Sequence, residues 1–232
     1  MRLTDHEVLR TADQHEEAYR SRYRRDQIAT AFGGKVLSDS WCLPVDAVGL
    51  KLAENLSKAY GAGTAAMLVR VFGQVWLAAV AQGDADRLKH AMFSIVDLIR
   101  ESDGRLAYLA CHHATPEIID AGAAKAALAE GYTIERVNTV NISRIVRLVR
   151  ANAAWIGLDL SAPFMPAPTT PEFEALMAPY TEPGNGLVEV RAIKKREALA
   201  RRIGEQVRAR AMGGIGHRKW RVRNLEVSAT TA

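Results

Sequence analysis

The chain is poor in cysteine, in aromatic residues and in long apolar runs, and each shortage closes a class of protein. Its two cysteines, Cys42 and Cys111, stand far apart and make no disulfide framework. Aromatics are 6% of the residues, while alanine, the best helix former, is abundant. The longest uncharged stretch, from about Val71 to Gly83, falls short of the roughly 20 residues that span a bilayer. Met1 to Glu7 turns charged at once and offers no apolar signal-peptide core. These features predict a soluble, cytoplasmic protein with no membrane span. At 232 residues, 48% hydrophobic and 25% charged, the chain is long enough and apolar enough to bury a core, and its composition is not that of a disordered protein.

Catalytic signatures are also missing. No Walker-type phosphate loop and no serine nucleophile elbow occur. Gly213-Gly214-Ile215-Gly216 lacks the flanking strand and helix of a nucleotide loop. Cys111-His112-His113 resembles a fragment of a metal site, but no second ligand pair stands at zinc spacing. The expectation is a non-enzyme without cofactor or metal. An enzyme would need a polar pocket assembled around His112, His113 and Glu117.

What the chain does have is helical spacing and a lopsided charge. Thr4 and Glu7 stand at capping-box spacing, and the helix they open is expected to break near Gly33-Gly34. Pro44 suits the first turn of a helix reaching Tyr60, with Val45, Val48, Leu52 and Leu56 on one face. Thr64 to Ala81 is apolar nearly all round, which predicts a central buried helix. Further helices are expected over Asp84–Arg100, from Pro116 to near Gly131, and from Ile142, capped by Asn141, to Ile156, with a short segment over Gly104–Cys111. Six of the eight prolines fall between Pro163 and Pro183. The predicted architecture is therefore all-α: a multi-helix body over 1–161, a Pro-rich linker or arm over 162–186, and a basic segment over 187–232. Leu187 to Met212 is expected as one long basic helix. A strand–helix–strand unit using Leu187–Ile193 and Trp220–Val227 competes with it.

Three stretches partly fit a helix-turn-helix, in which a small residue and a later glycine let two helices meet. Asp26–Gly33 fits in its first half only. Leu56–Thr64 fits at its turn, but the helix beyond is too apolar to read DNA and has Arg70 at a core position, so a tight helical hairpin is the plainer reading. Ala126–Val140 fits apart from Glu130, and leads into groove-compatible donors Asn138, Asn141, Ser143, Arg144, Arg147 and Arg150. On a helix the three arginines span an arc of about 120° opposite Ile142, Ile145, Val146 and Val149, fit for phosphates or guanine edges.

Charge is the clearer signal. Net charge is +5 overall, yet Arg191 to Arg223 alone holds twelve cations against Glu197 and Glu205, a net +10, which leaves −5 for the rest. The cations include Lys194, Lys195, Arg196, Arg201, Arg202, Arg208 and Arg210, followed by Arg218, Lys219, Trp220, Arg221 and Arg223. Such a run releases counterions from phosphates, and an interleaved indole can stack on a base. The expected function is DNA binding without chemistry, by a regulatory or mobile-DNA accessory protein whose partner is duplex DNA. The alternative is an assembly protein, a homo-oligomer or the binder of another protein, whose basic end docks on an acidic protein surface.

Overall fold

The computed structural model describes residues 3–25, 27, 42–84, 91–113, 127–161, 164 and 187–198. Among the described residues, helices α1 (Asp5–Thr11), α2 (Glu16–Arg24), α3 (Pro44–Tyr60), α4 (Ala62–Val71), α5 (Gly73–Asp84) and α6 (Ile142–Trp155) accompany strands β1 (Met92–Arg100), β2 (Arg105–His113), β3 (Tyr132–Asn141) and β4 (Leu187–Glu189). The all-α expectation is thereby overturned: the strands form one antiparallel sheet in the order β3-β1-β2-β4.

The correction has a physical cause. Met92–Ile99 is apolar at six of its eight positions, on both faces of an extended chain, and such a run suits a buried helix or a strand covered on both faces. Its Phe93, Ile95, Val96 and Ile99 belong to the β-branched and aromatic types that fit a pleated surface. Phe93 and Ile95 join the main core with the helices, whereas Val96 and Leu98 face a second cluster with Ala107, Leu109, Tyr132 and Ala127. The predicted segment Gly104–Cys111 is β2, joined to β1 by a turn in which Gly104 takes φ +66°. Gly131, expected at a helix end, takes φ +79° after helical residues 127–129 and leads into β3. A bulge between Asp97 and Leu98 leaves Glu135 unpaired opposite β1.

Several helix boundaries match their signals. Glu7 N–H donates to Thr4 Oγ1 (3.3 Å) and Thr4 N–H to Glu7 Oε2 (2.7 Å), the reciprocal capping box. Pro44 opens α3, where buried Asp46 accepts from Leu43 N–H at 2.9 Å. Gly61, at φ +75°, lets α3 turn back into α4, a helical hairpin in the core. The single helix expected over Thr64–Ala81 is instead two, because Phe72 at φ −104°, ψ 26° separates α4 from α5. Across that break Trp76, fully buried, donates from Nε1 to the carbonyl of Val69 at 2.9 Å, satisfying an end-of-helix acceptor. Asn141 caps α6 as expected, its Oδ1 accepting from Arg144 N–H at 2.8 Å. Leu3 and Cys42 exchange two backbone bonds of 2.9 Å, tying the start of the body to the start of α3.

The long helix expected from Leu187 is also corrected at its start. Leu187–Glu189 pairs with Leu109–Ala107 as the fourth strand, Val190–Ala192 forms a 3₁₀ turn, and 193–198 is helical. Val188 and Ile193 are buried in the main core. Phe164, from the Pro-rich stretch, is buried there as well.

Candidate nucleic-acid interface

The predicted groove-reading residues do not form one surface. Asn138 lies on β3, not on a helix, so the Ala126–Val140 helix-turn-helix is replaced by a turn and a strand. Its Nδ2 donates to the Tyr60 hydroxyl at 2.7 Å, and that hydroxyl donates to Asp97 at 2.7 Å. Arg136 completes this cluster, pairing with Asp97 at 2.6 Å and lying 4.6 Å over the Tyr60 ring. Burial, and then the bond to Asp97, push the Tyr60 hydroxyl well above the ordinary tyrosine range. It is a neutral structural donor. Asn141 is spent on the cap. Ser143 is buried, and its Oγ accepts from Ala91 N–H at 2.8 Å. Arg150 donates to the carbonyl of Leu160 at 3.1 Å and lies 5.1 Å over the Phe164 ring. Of that set only Arg144 and Arg147 remain exposed on α6. The regulatory reading that rested on a recognition helix goes with it.

The described part of the basic segment sits elsewhere. Lys194 and Lys195 are exposed and Arg196 is half-buried. Arg201, Arg202, Arg208, Arg210, Arg218, Lys219, Trp220, Arg221 and Arg223 lie outside the described residues, as do Glu117 and most of Asp26–Gly33. Because β4 pairs with β2 at Ala107, the chain leaves the sheet at the end where the β1–β2 turn lies. Met92, the other end of β1, is level with Asn141, where α6 starts. Nine strand residues put these ends roughly 27 Å apart.

At the turn end, three arginines gather round Glu189: Arg191 in direct contact, Arg100 at 3.6 Å and Arg105 at 3.7 Å. Asp103 bridges Arg100 (3.0 Å) and Arg105 (2.8 Å), and Tyr132 donates to Glu189 at 3.1 Å. Hydrogen bonding from Arg100 holds the Asp103 carboxyl below its usual range. Partial burial works against ionisation of Glu189, but bonds from Tyr132 and Arg191 outweigh it and lower that carboxyl too. An open cleft of about 430 Å³ adjoins, lined by Leu187, Val188, Glu189, Arg191, Ala192, Lys195 and Arg196. Arg100 and Arg105 are cations that sequence reasoning missed, since they gain meaning only once β1 and β2 are recognised as a hairpin.

The segment is fastened to the body by its acid. Glu197 accepts from Arg70 Nε at 2.6 Å and from its Nη2 at 2.5 Å, and Arg70 is 6% exposed at the core end of α4. The cations Lys194 and Lys195 pair with no described carboxylate.

Among the described residues no three His, Cys, Asp or Glu side chains are placed to hold a metal ion, and no described helix is long and apolar enough to cross a membrane. What fold and site define is a helical layer on a small antiparallel sheet with an arginine–carboxylate cluster at one end. Comparison with family models, with curated proteins and with solved structures finds no match to this chain.

Proposed function

We propose that the protein binds duplex DNA through phosphate contacts made by the basic arm that begins at Arg191, without chemistry, in the cytoplasm. The observation that carries this reading is the way the arm is fastened. An arm clamped on an acidic body would spend its cations on body carboxylates. Here the contact has the opposite sense, Glu197 on body Arg70, and Lys194 and Lys195 stay exposed. The arm leaves β4 beside Arg105 and Arg191, and further cations follow in the sequence from 201 to 223. The arrangement supports backbone binding rather than base reading, because Asn138, Ser143 and Arg150 are committed internally.

Fluorescence anisotropy with a labelled duplex tests it. Binding should weaken by at least tenfold as salt rises from low to physiological concentration, since each phosphate contact contributes about 0.9 to the logarithmic salt slope. Lys194→Ala with Lys195→Ala should lower that slope by about two. Absent binding, or affinity indifferent to salt, would refute the proposal.

A further inference from the structure

The carboxylate of Glu189 is met from each of the other strands of the sheet. On the face that carries Val96 and Leu98, Tyr132 of β3, Arg100 of β1 and Arg105 of β2 stand in one row. Glu189, the last residue of β4, lies opposite Ala107 on that face. Tyr132 donates its hydroxyl to Glu189 Oε1 at 3.1 Å. Arg100 and Arg105 approach the same oxygen at 3.6 and 3.7 Å, and Arg191, from the 3₁₀ turn, meets the other. β3 and β4 are the two edges of the sheet. The tyrosine bond therefore reaches across β1 and β2, about 14 Å at three strand spacings. Tyr132 is held for this reach: it is buried with Leu98 and Ala107, and the Arg100 guanidinium lies 5.5 Å from its ring centre.

Glu189 is also where the chain changes course. It ends a three-residue strand and directly precedes the 3₁₀ turn. Val190, Arg191 and Ala192 of that turn are exposed, and the next buried side chain is Ile193. Pairing over Leu187–Glu189 fixes where β4 lies, but so short a ladder leaves the direction of the turn to side-chain contacts. We infer that Glu189 is a positioning residue: held from β3 by Tyr132 and from the turn by Arg191, it sets the direction in which the basic arm leaves the sheet. Glu197 acts differently, holding the helix down on Arg70. The two acids flank Lys194 and Lys195 and present those cations in one arrangement. Groups ordered beforehand lose less freedom on binding.

Charge alone would give Glu189 the opposite role. An acid beside cations weakens their pull on a phosphate, so its removal should tighten binding. Removal of a positioning acid should weaken it.

Spin labels read the direction without DNA. Cys42 and Cys111 are buried, so labels at Lys194→Cys and Glu135→Cys, both exposed positions, should report one narrow distance in the parent chain. Tyr132→Phe keeps the ring and every charge and removes only the hydroxyl bond. It should broaden that distance while circular dichroism stays native. An unchanged distance overturns the inference, whether or not the chain binds DNA. The effect on DNA rests on the binding proposed for the arm. Tyr132→Phe should weaken duplex binding about threefold, at an unaltered salt slope because the same phosphates are met. Glu189→Ala raises the net charge by one and should still weaken binding. Glu130→Ala, an equal change of charge at the same end of the sheet, should not. Binding tightened alike by both alanine substitutions makes Glu189 an ordinary acid and overturns the positioning role. A parent chain that binds no duplex, while the labels respond to Tyr132→Phe, refutes the DNA reading and supports the tie.

Discussion

Replacing Glu197 by alanine tests the anchor of the basic arm and gives a sizeable expected effect. The carboxylate compensates Arg70, whose side chain is 6% exposed, while its own is 18% exposed. Breaking a buried pair from one side costs about 3–5 kcal/mol, because the remaining charge stays desolvated. Water reaches part of Glu197, so the low end applies: about 3 kcal/mol, or a fall in Tm of roughly 6–12 °C for a chain of this size. Removing both charges with Arg70→Met and Glu197→Leu should return most of that loss, since apolar pairs replace buried ion pairs at little cost. Urea unfolding followed by circular dichroism would supply the cycle, with a coupling of about 2 kcal/mol or more expected. Helix 193–198 can respond to the single change by undocking, which would cap the global loss but strip amide protection from 193–198. If Glu197→Ala leaves both global stability and that protection unchanged, or if the double variant loses the sum of the singles, the pair does not hold the arm.

Trp76→Phe should cost about 1–3 kcal/mol, the penalty of leaving the buried Val69 carbonyl without its donor; Trp76→Ala should cost about 3–5 kcal/mol through the cavity as well. A Phe variant as stable as the parent in urea unfolding would show that the break between α4 and α5 does not need the indole bond. Tyr19, Tyr60, Tyr108 and Tyr132 are all held above the ordinary tyrosine range, burial being the first cause in each. An unfolded tyrosine ionises near pH 10, so the native state keeps protons that the unfolded state loses. Their contribution is whole below about pH 10 and declines as pH climbs from there toward the native values. Absorbance at 295 nm should show at most two of the six tyrosines ionising while circular dichroism is still native; six ionising together near pH 10 in a folded chain would contradict the burial.

Elements bounded by local chemistry were readable. Thr4 with Glu7, Pro44 and Asn141 each announce a helix start, because a capping side chain or a proline acts within one turn. The sheet was not readable by the same means. Met92–Arg100 is apolar on both faces, and only its pairing with Arg105–His113 on one side and Tyr132–Asn141 on the other decides for strand. Sheet pairing is non-local, so no window of β1 contains it. The Ala126–Val140 motif failed for a related reason: its glycine does take positive φ, but the turn feeds a strand. The charge count located the basic arm. It could not say that the body residue meeting it would be Arg70, whose buried cation looked merely misplaced in an apolar helix.

Those two facts together bear on the role proposed for the arm. A body of net −5 and an arm of net +10 should collapse on each other if contacts were chosen by charge alone, and the arm would then be neutralised before any polyanion arrived. Burial of Arg70 works against this over residues 193–198. A guanidinium removed from water demands a carboxylate, and Glu197 is the acid the arm carries beside its first cations. The demand selects the acid and leaves Lys194 and Lys195 outward, three and two residues earlier on the helix, about 4.5 and 3 Å of rise away. At the turn end of the sheet Glu189 and Asp103 are shared among Arg100, Arg105 and Arg191, with exposed Glu101 and Glu130 close by. Reversing the anchor, with Arg70→Glu and Glu197→Arg, keeps the net charge and the pair while placing a new cation on the buried face. Docking should survive and DNA affinity should stay within about threefold, because the exposed cations that release counterions are untouched. A loss of binding with the fold intact would show that Arg70 or Glu197 acts on the DNA directly, and that the anchor and the interface are not separate.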